Sequence, residues 1–106
     1  MKVVFLRSAE ADLKELRRYI VGNFGKEAGL GSYGKLKASV AMIQEQPHIG
    51  RIPPELDSLN IAQYRQVLSG MNRIIYEARA DTVYIHIVCD TRRDLQGLLM
   101  KRIVSA

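Results

Sequence analysis

Three short stretches rich in β-branched and aromatic residues, Tyr64 to Ser69, Arg73 to Arg79 and Thr82 to Asp90, follow one another with only Gly70 to Asn72 and Ala80-Asp81 between them. Connections that short join antiparallel neighbours, so the segment has to be a meander. Its last strand is mostly apolar on both sides. Strict alternation would put Val83, Ile85, Ile87 and Cys89 on one face and Tyr84, His86 and Val88 on the other, as expected of a central strand. Such a sheet needs covering layers.

The upstream sequence supplies one. From Ala9 the residues Leu13, Leu16, Ile20 and Phe24 recur at helical spacing, with Lys14, Glu15, Arg17 and Arg18 on the other side, up to Gly25. Lys26 to Gln46 repeats the pattern with Tyr33, Leu36, Val40 and Ile43 until Pro47 stops it. Gly29, Gly31 and Gly34 each cost roughly 1 kcal/mol relative to alanine inside a helix, so the first half is expected to fray or start late. A connection of a few residues forces the two helices into an antiparallel hairpin with one joint apolar face. Lys2 to Leu6 reads as a short strand at the sheet edge, and Ser8 as the cap of the first helix. Residues 47–63 hold three prolines and no sustained period, so they read as a long surface loop. Asp94 caps a last helix in which Leu95, Leu98, Leu99 and Arg102 share a side. The expected fold is α+β: one domain over residues 1–106, an N-terminal strand and helical hairpin on an antiparallel sheet, and a short C-terminal helix.

Apolar runs such as Val3 to Leu6 and Val83 to Val88 fall far short of the roughly 20 residues that span a bilayer. The run after Lys2 is also too short for a secretory core of about 7 to 15 residues, so a cytoplasmic location is expected. Cys89, alone and in an apolar run, reads as a buried small hydrophobe. The formal net charge of +5 speeds encounter with anionic partners such as nucleic acid or an acidic protein.

Walker, GxSxG, HExxH and CxxC patterns are all missing from the sequence, and His48 and His86 lack the companions of a metal site. No cofactor and no metal are expected. What remains is arginine. Arg65, Arg73, Arg79, Arg92 and Arg93 sit on or beside adjacent strands. Either they are separately solvated, or their planar forks converge into one anion-binding face.

The text Pro47-x-x-Gly50-Arg51-x-Pro53-x-Glu55-Leu56, then Tyr64-Arg65-x-x-Leu68, Asn72-Arg73-Ile74-Ile75-Tyr76 and Thr91-Arg92-Arg93-Asp94-Leu95, resembles the RelE/ParE superfamily of bacterial type II toxins, as does the opening Ala9-x-x-Asp12-Leu13. The likeness spans nearly the whole chain and implies a RelE-like fold. It also implies one of two activities. RelE-like members cut messenger RNA on the ribosome without a metal; ParE-like members poison DNA gyrase. Carried across, Arg73 and Arg92 match arginines used by the ribonucleases, and Arg65 stands where a lysine is expected. Val67 replaces a second cation, Leu98 stands at the tyrosine position, and Asp90 stands where many ParE-like sequences have histidine.

Metal-free RNA cleavage needs a base and an acid, each worth about two to four orders of magnitude, and arginine shuttles protons poorly. Tyr64, Tyr76, Tyr84 and His86 are the spare donors. The resemblance therefore favours a ParE-like toxin that inhibits DNA gyrase and forms a hetero-oligomer with a cognate antitoxin. The antitoxin is expected over the hairpin at Leu16, Ile20, Tyr33 and Leu36, and the target at Arg65, Arg73, Arg92, Arg93, Lys101 and Arg102. The alternatives are a ribosome-dependent ribonuclease acting on mRNA through Arg65, Arg73, His86 and Arg92, and a non-toxic binding module.

Overall fold

The computed structural model describes residues 1–105. Strand β1 (Lys2–Phe5) leads into helices α1 (Arg7–Phe24) and α2 (Lys26–Glu45). A short α3 (Pro54–Asp57), strands β2 (Arg65–Ser69), β3 (Asn72–Arg79) and β4 (Thr82–Asp90), and helix α4 (Leu95–Ser105) follow. The sheet order is β1-β4-β3-β2. The meander is antiparallel as its short turns require, and β1 adds to β4 in parallel, so the sheet is mixed rather than wholly antiparallel.

Local chemistry explains several departures from the expected boundaries. Ser8 is no cap: α1 starts at Arg7 directly from extended Leu6, with no side-chain cap. α2 is helical from Lys26 despite its glycines. Only Gly25 separates the helices, at φ 95° with its N–H on the Val21 carbonyl, a conformation that favours glycine. A Cβ on Gly29 would lie 2.6 Å from Val21 Cγ2, so that glycine lets the helices approach. The long loop is not structureless, since it contains α3, and Arg51 pairs with Gln66 beside β2. Tyr76, fully buried, ties the loop down: its hydroxyl donates to the Pro47 carbonyl at 2.8 Å and accepts the Gly50 N–H at 3.0 Å. A side chain at Gly50 would meet that hydroxyl at 2.6 Å, which accounts for the Pro47-x-x-Gly50 spacing.

The β3–β4 register jumps from Ile75↔Ile87 to Tyr76↔Ile85, leaving His86 as the extra residue of a bulge. Strict alternation along β4 is thereby overturned. Val83, Ile85 and Val88 pack with Ala9, Leu36 and Ile43 under the hairpin, while Ile87 and Cys89 pack with Leu56, Leu95 and Leu99 under α3 and α4. β1 ends at Phe5 opposite Ile85, so beyond that point the outer edge of β4 has no strand beside it. Two side chains take its place. Asp12 accepts the Val88 N–H at 3.0 Å, Arg102 donates to the His86 carbonyl at 3.1 Å, and the two pair at 2.6 Å. A charged pair here protects an otherwise open sheet edge.

Candidate functional site

The expected arginine face is not assembled. Antiparallel partners share a face and successive residues alternate, so Arg65, opposite Tyr76, lies on the hairpin side, while Arg73, opposite Leu68 and Cys89, lies on the other. Each guanidinium is also committed within the chain. Arg65 donates to the Gly50 carbonyl at 2.7 Å. Arg73 is 5% exposed and bidentate to Glu55 at 3.0 and 3.1 Å, with further bonds to Gln66 Oε1 and the Arg93 carbonyl. Its hydrogen bond holds the Glu55 carboxyl below its ordinary pKa. Arg92 is exposed, but Nε and one terminal nitrogen grip both oxygens of Asp90 at 2.9 and 3.0 Å, which helps bring the Asp90 pKa down to about 2. Arg79 shares the face of Arg73 but lies six residues away along β3, roughly 20 Å by strand rise; it stacks over Tyr84 at 4.6 Å. Arg102 is spent on Asp12 and the β4 edge. Of the expected target residues, Arg93 and Lys101 are exposed and take part in no ion pair among the described residues.

Of the two histidines, exposed His48 adjoins Arg65, whose Nη1 lies 3.5 Å from its carbonyl, and His86 stands apart from Arg65, Arg73 and Arg92. His86 contacts Glu77 at 3.1 Å and meets the Tyr64 ring edge-on at 5.1 Å. Burial pushes its pKa below the ordinary value. It is three residues along β4 from Cys89, the partner of Arg73, or about 10 Å. The phenol near Arg65 is Tyr76, buried and with its hydroxyl already used twice. Among the described residues no cluster of metal-ligating side chains occurs.

The hairpin residues do come together. Leu16, Ile20, Tyr33 and Leu36 line one groove of about 330 Å³ between α1 and α2. Its lips are apolar yet solvent-facing: Leu30 is 67% exposed and Tyr33 57%. Sequence reading missed Leu30, which lies off the Tyr33–Leu36–Val40–Ile43 stripe. It also missed Glu55, Gln66 and Asp12 as the partners that occupy arginines; Glu55 and Asp12 stood within the quoted motifs, but nothing local named their mates.

These features define a class: a small mixed-sheet protein whose strand cations serve its own architecture and whose hairpin keeps an apolar seat open. The chain belongs to the family described as ParE toxin of type II toxin-antitoxin system, parDE, whose model matches residues 3–95. It is thus a type II toxin of the ParE kind, a family whose members have an antitoxin partner. No curated protein matches the chain. A solved structure described as "Chromosomal ParDE TA system from P. aeruginosa" is 17% identical, with a TM-score of 0.70 over 85% of this chain and 95% of that one, a likeness of fold. No helix among the described residues is long and apolar enough to cross a membrane.

Proposed function

We propose that this toxin acts by binding and not by hydrolysis, that its target is DNA gyrase, and that a cognate antitoxin silences it by occupying the groove lined by Leu16, Ile20, Tyr33 and Leu36. The observation that carries this reading is the commitment of every candidate catalytic arginine to an acceptor of its own chain. A ribonuclease would need a phosphate clamp and a proton donor on one surface; Arg65, Arg73, Arg92 and His86 offer neither together. The groove supports the antitoxin half, because an exposed apolar concavity of this size marks a partner site. For the target we retain Arg93 and Lys101, next to the exposed apolar residues Met100 and Ile103 of α4.

The test is gyrase supercoiling in the presence of purified toxin, with and without the protein encoded beside it. Supercoiling should stop with toxin alone and resume when the neighbour is added. Unchanged supercoiling together with cleavage of translated messages would overturn the proposal in favour of the ribonuclease.

A further inference from the structure

The β2 edge of the sheet is only half closed. β2 is an outermost strand, and Gln66 spends its outward backbone groups on Arg51: its N–H donates to the Arg51 carbonyl at 2.7 Å and its carbonyl accepts the Arg51 N–H at 3.2 Å. Outward groups recur every second residue, so Leu68 turns its N–H and carbonyl the same way. Continued in that register, Ile49 would stand opposite Leu68. Its N–H instead bonds the Gln46 carbonyl at 2.9 Å, and the loop leaves the edge there. Among the described residues no loop backbone bond reaches Leu68, which is 57% exposed.

Two hollows meet over this edge and share Arg51, Gln66 and Leu68. One, of about 390 Å³, lies on the α3 face, with Pro54, Arg73 and Thr91 in its wall. The other, of about 280 Å³, lies on the hairpin face and is lined by Met42, Ile49 and Val67, of which Met42 and Ile49 are exposed. Charge is as uneven as shape. Glu55, the one acid in either wall, is bound to Arg73, whereas Arg51 borders both hollows and takes part in no ion pair among the described residues. A carboxylate from outside is the complement that Arg51 lacks.

We propose that the β2 edge takes an extended segment of the toxin's target protein, which pairs with Leu68, sets an apolar side chain on Met42 and Ile49, and brings a carboxylate to Arg51. A strand fits because its side chains alternate between faces, so neighbouring residues enter the two hollows in turn. A helix does not fit, since its backbone groups are spent internally and leave those of Leu68 unpaired. A second copy does not fit either. Pairing Leu68 with its own mate about a two-fold axis sets Gly70 of one copy opposite Gln66 of the other, where Arg51 already sits. The target is the occupant and not the antitoxin, because neither hollow shares a residue with the hairpin groove. Thr91 and Arg73, whose guanidinium holds the Arg93 carbonyl, join the α3-side hollow to the cation retained above for the target. This inference rests on the reading that the toxin acts by binding a protein target, but the chemistry of the edge can be tested separately.

Short unstructured peptides displayed on phage and selected on the full chain, with binders to Leu68→Pro removed, ask what the edge accepts. Leu68→Pro deletes an outward N–H that β3 does not use, and proline is tolerated on edge strands. Selected peptides should carry a carboxylate beside apolar residues, and Arg51→Glu should weaken their binding by about tenfold. If Leu68→Pro does not fold, Arg51→Glu serves for the counter-selection. No enriched peptide, or winners that are basic, overturns the inference. Hydrogen exchange then locates the natural occupant. With purified gyrase bound, exchange of the Leu68 amide should slow by about tenfold or more, while the antitoxin binds Leu68→Pro as it binds the native chain. Bound gyrase with Leu68 exchanging as in the free toxin overturns the inference, and so does protection of Leu68 by the antitoxin. Gyrase that neither binds the toxin nor loses supercoiling counts instead against the target reading, and the peptide selection still decides what the edge takes, so the two failures are distinguishable.

Discussion

The two faces of the sheet are both covered by helix, yet they handle charge in opposite ways. Under α3 and α4, Arg73 reaches Glu55 on α3 and the Arg93 carbonyl before α4, while Gln96 of α4 donates to the Glu55 carbonyl at 2.7 Å. The small apolar cluster there is stapled by polar contacts at its margin. Under α1 and α2 the cover is apolar and incomplete, and the nearby cations stay unpaired. A closed face built around a buried ion pair suits a fixed scaffold, whereas an open apolar face with free cations suits a partner that completes it. The comparison also explains why a basic, arginine-rich meander does not make an anion-binding surface: Arg73 holds the closed side shut, while Arg65 on the other face is bound to the Gly50 carbonyl and Arg92 to Asp90.

The contrast is tested most severely by truncating one leucine on each side. Leu56 is 1% exposed within the closed cluster, so Leu56→Ala should cost about 3 kcal/mol of unfolding free energy. Leu30→Ala, on the open lip, should stay within roughly 0.5 kcal/mol. Urea unfolding of both variants checks this, and equal costs would erase the distinction between the faces.

The clasp comes next. Glu55→Gln leaves Arg73 buried without its counter-charge, a change that costs about 3 kcal/mol in a fully buried pair and about 2 here, because a third of the Glu55 side chain is exposed. The pH dependence has a definite sign. The folded pKa of Glu55 lies below its ordinary value of 4.5, so its contribution is complete above that value and is lost as pH falls through the lower, folded one. The difference in Tm between native chain and variant should therefore narrow on acidification below about pH 4.5; a gap that persisted at lower pH would show that the carboxylate's charge is not what matters.

Much of this was legible in sequence, and the illegible parts have a common cause. Helical periods and short turns report local geometry, so both long helices and the meander could be read directly. The bulge at His86 is set by the β3–β4 register and by Asp12 and Arg102, residues distant in sequence, so strict alternation misassigned Ile87, Val88 and Cys89. Leu16, Ile20, Tyr33 and Leu36 of the groove were found because each lies on a periodic stripe, and Leu30 was not because it lies off one. The arginine surface was not there, because whether two strand cations converge depends on parity and partners: Arg65 and Arg73 fall on opposite faces by register, and Arg73 meets Glu55 across 18 residues of chain. The same nonlocality hides the role of Tyr76, whose hydroxyl anchors the loop; Tyr76→Phe should cost about 1 to 2 kcal/mol through the Gly50 N–H left unpaired. Calorimetry checks that value, and no loss of Tm would mean water replaces the phenol.

The smallest effect separates glycines that the toxin needs from those only a partner could need. Gly31 and Gly34 have nothing within 4 Å of an added Cβ and no positive φ, so alanine at either should stabilise the free chain by roughly 1 kcal/mol. Gly29→Ala must instead displace Val21, whose methyl would lie 2.6 Å from the new carbon, and should give little gain or a loss. Thermal unfolding of the three single variants reads the signs. If Gly31→Ala or Gly34→Ala stabilises the free toxin but weakens antitoxin binding, close approach of the partner extends beyond the groove onto the outer surface of α2. If both stabilise and binding is unchanged, the partner is confined to the furrow between the helices, and the open face is no wider than its apolar lining.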